Sequence, residues 1–307
     1  MKKRPLIYSI LLLIIFFLSF GSQAGPAPVV FVSILPQKFF VQQISGDRFA
    51  VEVMVPPGAS PHIYEPKPSQ MRKLAVSKAF FTIGVALERV WLDKIATINP
   101  DMVVVRTEAD IDKIAMADEP HDHPGDPGQE GSEIHDPGHS AQEGEDGLDP
   151  HIWLSPSLVK SQVKIIKDHL VELDPSGAQM YNDNYAGFIA RIEELDARLR
   201  NVLHDQRGRK FMVFHPSWGY FAASYGLEQV AVEIEGKSPK PAQLKALIKQ
   251  ARDLDIRVVF AQPQFSRKSA EVIAREIDGE VVLVDPLAED WFENMSRVAE
   301  KFSAAAR

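Results

Sequence analysis

Cysteine is absent from all 307 residues of this chain. Disulfides are therefore excluded, and so is every zinc fold built on thiolate ligands. A lipid anchor behind an amino-terminal leader is excluded as well, because no cysteine is there to carry it. Basic residues are missing from one stretch: residues 114–159 hold eleven carboxylates and five histidines but no lysine or arginine. Setting aside these eleven carboxylates and the three basic residues of the amino-terminal segment leaves 31 basic and 31 acidic residues. The body is balanced and offers no basic groove, which argues against nucleic acid as a partner. Neither H-E-x-x-H nor G-x-S-x-G occurs, so two common hydrolase signatures are also missing.

The amino-terminal segment carries Lys2, Lys3 and Arg4 before a nearly all-apolar run at 10–20. Ser22-Gln23-Ala24 then places small residues where a signal peptidase reads. The run is short for a membrane span. The expectation is a signal peptide at 1–24, cleaved after Ala24, and an exported, unanchored protein. About 280 residues would remain, enough for one large domain or two ordinary ones.

Within the acidic stretch, Pro and Gly interrupt every possible helix or strand, and almost no apolar side chain offsets the entropy of ordering. Residues 117–148 read as a disordered loop. Its histidines His121, His123, His135 and His139, set among carboxylates, read as an auxiliary, weak metal-binding segment. Imidazole favours zinc, copper, nickel and iron over calcium or magnesium. The plainer alternative is a solvated acidic linker.

On both sides of this loop, short β-rich runs alternate with helical patterns. Strands are expected at 29–35, 50–55, 79–83 and 102–106, and again at 210–214, 229–232, 257–261 and 280–284. Helices fill the gaps at 37–44, 69–77, 87–96, 218–225, 241–254, 267–277 and 291–302. A short strand at 152–154 and a helix at 156–173 follow the loop. Alternation of this kind predicts an α/β fold of two lobes, each with a mainly parallel sheet covered on both faces. From 175 to about 206 the pattern changes. Tyr185, Phe188, Ile189, Ile192, Leu195, Leu199, Val202 and Leu203 recur at helical spacing, without proline. This predicts one long rigid helix joining the lobes, about 45 Å for about 30 residues; the alternative is a break near Gly187. The expected organisation is an N-terminal lobe at 25–174, the connecting helix at 175–207 and a C-terminal lobe at 208–307.

Outside the loop, His62, His151 and His215 share one context: each sits at or just past a strand end, beside a proline. Asp285 ends the strand at 280–284 and precedes Pro286. In open α/β sheets the carboxyl ends of the strands form the ligand crevice. Three imidazoles and one carboxylate there make a candidate four-coordinate transition-metal site; the alternative for any one histidine is a hydrogen-bonded structural role. His169 and His204 lie on helices among charged neighbours and read as surface residues.

Several motifs carry a family resemblance over essentially the whole exported chain. Pro57-Gly58-Ala59-Ser60-Pro61-His62-Ile63-Tyr64-Glu65, with Pro68-Ser69-Gln70, is similar to the first ligand motif of the ZnuA/TroA-like (cluster A-I) solute-binding proteins of ABC metal importers. Asp149-Pro150-His151-Ile152-Trp153-Leu154-Ser155-Pro156 resembles their second. His215 with Trp218-Gly219-Tyr220-Phe221 and Tyr225-Gly226-Leu227 resembles their third. Glu235-Gly236-Lys237-Ser238-Pro239 and Asp285-Pro286-Leu287 match further landmarks in order. The resemblance implies two α/β lobes, a long connecting helix and a metal in the cleft, with His62, His151 and His215 as ligands. Asp285 matches a position that binds the metal in some relatives and is replaced by water or another carboxylate in others. Histidine in the third motif and a His-rich acidic insertion are features of the zinc-type members. The chain departs from some of them by lacking a cysteine pair in the second lobe and by having Pro61 where they offer a carboxylate. Glu65 is expected not to touch the metal.

The function this implies is a high-affinity periplasmic zinc receptor, a monomer delivering Zn2+ to an ABC permease in the inner membrane, and not an enzyme. Alternatives are a manganese-preferring receptor of the same family, an adhesin or surface-binding protein, and a zinc hydrolase. The hydrolase would need a general base beside a metal-bound water.

Overall fold

The computed structural model describes residues 25–116, 147–233 and 238–305. The expected leader, and His121, His123, His135 and His139, lie outside these residues. Among the described residues, eight four-residue strands form two four-stranded sheets. In the first, β1 (Val29–Val32), β2 (Ala50–Val53), β3 (Ala79–Thr82) and β4 (Val103–Arg106) run parallel in the order β2-β1-β3-β4. In the second, β5 (Lys210–Val213), β6 (Glu228–Ala231), β7 (Val258–Ala261) and β8 (Glu280–Leu283) repeat that order as β6-β5-β7-β8, again all parallel. Parallel neighbours need crossovers, and helices supply them. α1 (Leu35–Ser45), α2 (Pro68–Leu74) and α3 (Ala86–Ile98) serve the first lobe. α6 (Gly219–Tyr225), α7 (Pro241–Asp253) and α8 (Lys268–Glu276) serve the second. Proline stands at the first helical position of α2 and α7 and of α4 (Pro156–Leu173), where its fixed φ suits a helix start and its missing N–H costs nothing.

Strand residues divide between faces with period two. Val30, Val32, Ala79, Phe81, Phe211, Val213 and Phe260 belong to one core that runs through both lobes. Their neighbours Phe31 and Phe80 pack in a separate outer core of the first lobe. Met212, Val259 and Ala261 do the same in the second. Both sheet faces are covered, which is why the strands read as continuous apolar runs.

The connecting element is α5 (Ala178–Val202), 25 residues and about 37 Å long at 1.5 Å per residue. It passes Gly187 unbroken and buries Tyr181, Phe188, Ile192, Leu195 and Leu199 against α1, α4 and the last helix, α9 (Trp291–Ala305). The expected span of 175–206 is trimmed by a 3-10 turn at each end, Pro175–Gly177 and His204–Gln206. The first turn depends on Gly177, since a Cβ there would stand 2.5 Å from the Tyr181 ring. α9 braces the lobes from the other side. Trp291 meets Phe40 of the first lobe, with ring centroids 5.4 Å apart, while Phe302 stacks on Phe211 of the second at 4.5 Å.

One expected strand is absent. Ile152–Leu154 is a 3-10 turn, closed by Leu154 N–H donating to His151 O (3.1 Å) and Ser155 N–H donating to Ile152 O (3.3 Å). Pro150 and Pro156 leave too few residues between them for a ladder. All three side chains are fully buried, a pattern incompatible with alternation over so short a run. The turn is pinned instead by Trp153, whose Nε1–H donates to Pro286 O at 2.7 Å. Among the described residues, no helix is long and apolar enough to cross a membrane.

Candidate metal centre

His62 lies in the loop between β2 and α2. Ala59 N–H donates to Pro56 O (3.2 Å), closing a turn with Gly58 at φ +77°, a value that glycine adopts at no steric cost. Leu87 N–H at the start of α3 then donates to Pro61 O at 3.2 Å, fixing the loop tip. His151 precedes the 3-10 turn and is buried. Its backbone N–H and its Nδ1–H both donate to Asp149 Oδ1, at 2.8 and 2.7 Å. His215 lies two residues past β5. Gln262 brackets its backbone, accepting from His215 N–H (3.1 Å) and donating to His215 O (2.6 Å). The ring stacks on Phe265 at 4.7 Å, and its Nδ1–H donates to Glu233 Oε1 at 2.5 Å.

These three loops from three chain segments bring three ring nitrogens together. His215 Nε2 is 3.1 Å from His62 Nε2 and 3.3 Å from His151 Nε2. Nitrogens bound at about 2.0–2.1 Å to a tetrahedral zinc stand roughly 3.3 Å apart, so the set fits one ion with little movement. His62 is exposed as a residue, yet its Nε2 points inward to the other two. Burial first, then the charges of His215, His151 and Arg89, push the His62 imidazole down to about 3. His215 is lowered as well, burial outweighing the opposing pull of Glu233. Both rings are therefore neutral at pH 7 and present a lone pair. The carboxylates of Asp149 and Glu233 can only accept, so they place the proton of their histidines on Nδ1 and leave Nε2 free for a metal. Asp149 Oδ2 and Glu233 Oε2 are buried without a hydrogen-bond partner. Two buried carboxylates directly behind the imidazoles make the centre electrostatically suited to a divalent cation.

Asp285 stands at the end of β8 as expected, but its carboxylate is not among the donor atoms that gather within 4.8 Å of one another, which come from His62, His151 and His215. Its Oδ1 accepts from Gln264 Nε2–H (2.8 Å) and from Leu287 N–H (2.9 Å). His169 and His204 engage Ile165 O and Asp205 on their own helix or turn, away from the centre. Glu65 is exposed.

Sequence reading assigned no role to Asp149 or Glu233. For Asp149 the signal is its place two residues before a candidate ligand. For Glu233 the signal is strand register: Val213 pairs with Ala231, so His215 and Glu233 each lie two residues beyond a paired position on adjacent strands. Nothing in the sequence fixes that pairing. Replacing Glu233 by glutamine keeps the shape but no longer enforces the Nδ1–H tautomer. Metal affinity is expected to fall about 10- to 100-fold, measured by competition with a chelator, and Asp149→Asn to act likewise.

Two parallel-sheet lobes with imidazoles converging between them define a metal-binding solute receptor. The chain belongs to the ZnuA family, the periplasmic component A of the zinc-uptake complex, whose model matches residues 30–305. A crystal structure of ZnuA is 39% identical, covers 92% of this chain and 100% of that one, and superposes with a TM-score of 0.80. A ZnuA deletion mutant with zinc bound matches at 39% identity, 91% and 98% coverage and a TM-score of 0.79. The high-affinity zinc uptake system protein ZnuA of Bacillus subtilis is 27% identical over 84% of this chain and 78% of its own length. The manganese-binding lipoprotein MntA of Halalkalibacterium halodurans is also 27% identical, over 78% and 74%. Members of the family are the solute-binding components of ABC metal importers, and their cargo is zinc or manganese.

Proposed function

We propose that this chain is a periplasmic zinc receptor that delivers Zn2+ to an ABC permease of the inner membrane. The observation that supports this reading is the convergence of three imidazole Nε2 atoms, two of the rings backed by carboxylates. His62, His151 and His215 hold the ion, and Asp285 borders the site. Zinc accepts a nitrogen-rich tetrahedral set, whereas manganese prefers oxygen and stands lowest in the general affinity order. Zinc is therefore expected to displace manganese at equal free concentrations in a direct competition titration; displacement of zinc by manganese would refute the zinc assignment. The protein binds and releases its ion without transforming it. Lobes tied by α5 and α9 favour a stiff cleft over wide closure around the metal.

The His-rich segment is read as a low-affinity collector that captures zinc and passes it to the cleft. Its flanks are clasped together: Met116 N–H donates to Gly147 O (2.7 Å) and Asp149 N–H to Ile114 O (2.8 Å). Deleting residues 117–145 is expected to leave the fold and the tight site intact while removing weaker zinc equivalents. Ordering such a chain costs about 1–2 kcal/mol per residue, which limits its affinity. Calorimetry on both proteins checks this; unchanged stoichiometry would leave the segment as a linker, and loss of the tight site would move the ligands elsewhere.

A further inference from the structure

Gln264 is the residue of the centre that the ligand set leaves unexplained. It follows β7, the strand paired with β5, whose end carries His215. It lines the same small cavity as His62, His151 and His215, together with Pro286 and Leu287. Its amide is oriented. The Nε2–H edge donates to Asp285 Oδ1 at 2.8 Å, and that oxygen already accepts Leu287 N–H. Turning the amide over would set its carbonyl against a carboxylate oxygen. The orientation leaves Gln264 Oε1 buried with no hydrogen-bond partner. A buried acceptor is costly unless something donates to it. His151 and His215 do not donate to it, because their Nδ1–H groups are spent on Asp149 and Glu233. A metal ion has no proton to give, whereas a water polarised by a metal is a strong donor. The cavity, about 10 Å³, is the size of a single water centre.

We propose that Gln264 Oε1 accepts a hydrogen bond from a water in the fourth coordination position of the zinc, and that Asp285 acts by locking Gln264 rather than by touching the metal. The proposal rests on the reading that the three histidines hold the ion. It makes Gln264 a positioning residue for an exchangeable ligand, so one corner of the site can open without moving a protein ligand.

The test is the structure of the zinc complex of the full exported chain, joined to zinc affinities and cobalt d–d absorption spectra of Gln264→Met and Asp285→Asn. Methionine keeps the length and bulk of glutamine but loses the acceptor. The expected wild-type complex has a non-protein oxygen on zinc within hydrogen-bond distance of Gln264 Oε1. Gln264→Met should keep zinc on the three histidines, bind about five- to tenfold more weakly, and shift the cobalt spectrum. Asp285→Asn should match it, and the double variant should be no worse than Gln264→Met alone. An Asp285 carboxylate or the Gln264 amide oxygen on the metal would overturn the proposal. So would an Asp285→Asn loss as large as that of a histidine, or a Gln264→Met protein with unchanged spectrum and affinity. Zinc found away from the three histidines would overturn the ligand assignment itself, and its position in the same structure tells the two failures apart.

Discussion

Replacing His215 by alanine is expected to weaken zinc binding by roughly 100-fold or more. A complete four-ligand zinc site is worth about 10–16 kcal/mol, so one ligand carries roughly 3 kcal/mol. His215 is the central ring, with its Nε2 within 3.3 Å of both partners. The substitution also removes the ion-pair partner of Glu233 and leaves that carboxylate buried, so the metal-free protein should lose stability too. His62→Ala separates the two effects. His62 has no carboxylate behind it among its hydrogen bonds and sits on an exposed loop tip. It should lose zinc to a comparable degree while unfolding at nearly the wild-type denaturant concentration. Chelator competition and urea unfolding of both variants without metal check the pair. Near-unchanged zinc affinity in His215→Ala would sink the ligand assignment.

Trp291→Ala is expected to cost about 3–5 kcal/mol of folding stability, at the upper end of large-to-small core changes. The ring is almost fully buried and packs edge-on against Phe40 and Phe292. Its Nε1–H donates to Trp153 O at 2.8 Å, while Trp153 Nε1–H donates to Pro286 O at 2.7 Å. The substitution opens a cavity and leaves a buried carbonyl without its donor. Because these bonds tie α9 to the turn that carries His151 and to the loop beside Asp285, the loss should also loosen the metal centre. The wild-type chain should unfold in one transition, since a single core runs through both lobes. A loss below about 1 kcal/mol in Trp291→Ala, or two resolved wild-type transitions, would show that the lobes are not braced in this way.

The sequence by itself determined the elements and their order. Short continuous runs rich in Val and Phe, helical spacing between them and proline at helix starts are all read within a few residues, and every expected element but one appears close to its expected bounds. It also singled out the three histidines by their proline-rich contexts and family motifs, although only His215 lies just past a strand: His62 sits well down the loop after β2, and His151 precedes a 3-10 turn. The long joining helix was visible because its apolar stripe repeats over some seven turns.

Only the tertiary structure decided which residues meet. The register that sets Glu233 behind His215 depends on β5 pairing with β6, a choice made by packing far along the chain. The 3-10 turn at Ile152–Leu154 replaces a strand because Trp153 finds Pro286 and Trp291 across the molecule. α9 belongs by sequence to the second lobe, yet its first residues pack on the first. Asp285 lies at the expected strand end, but its orientation is fixed by Gln264 and the Leu287 N–H. Local patterns record how each segment buries its own apolar face. Pairing and side-chain direction record a competition among distant partners for hydrogen bonds and space, and that competition is settled only when the chain has closed.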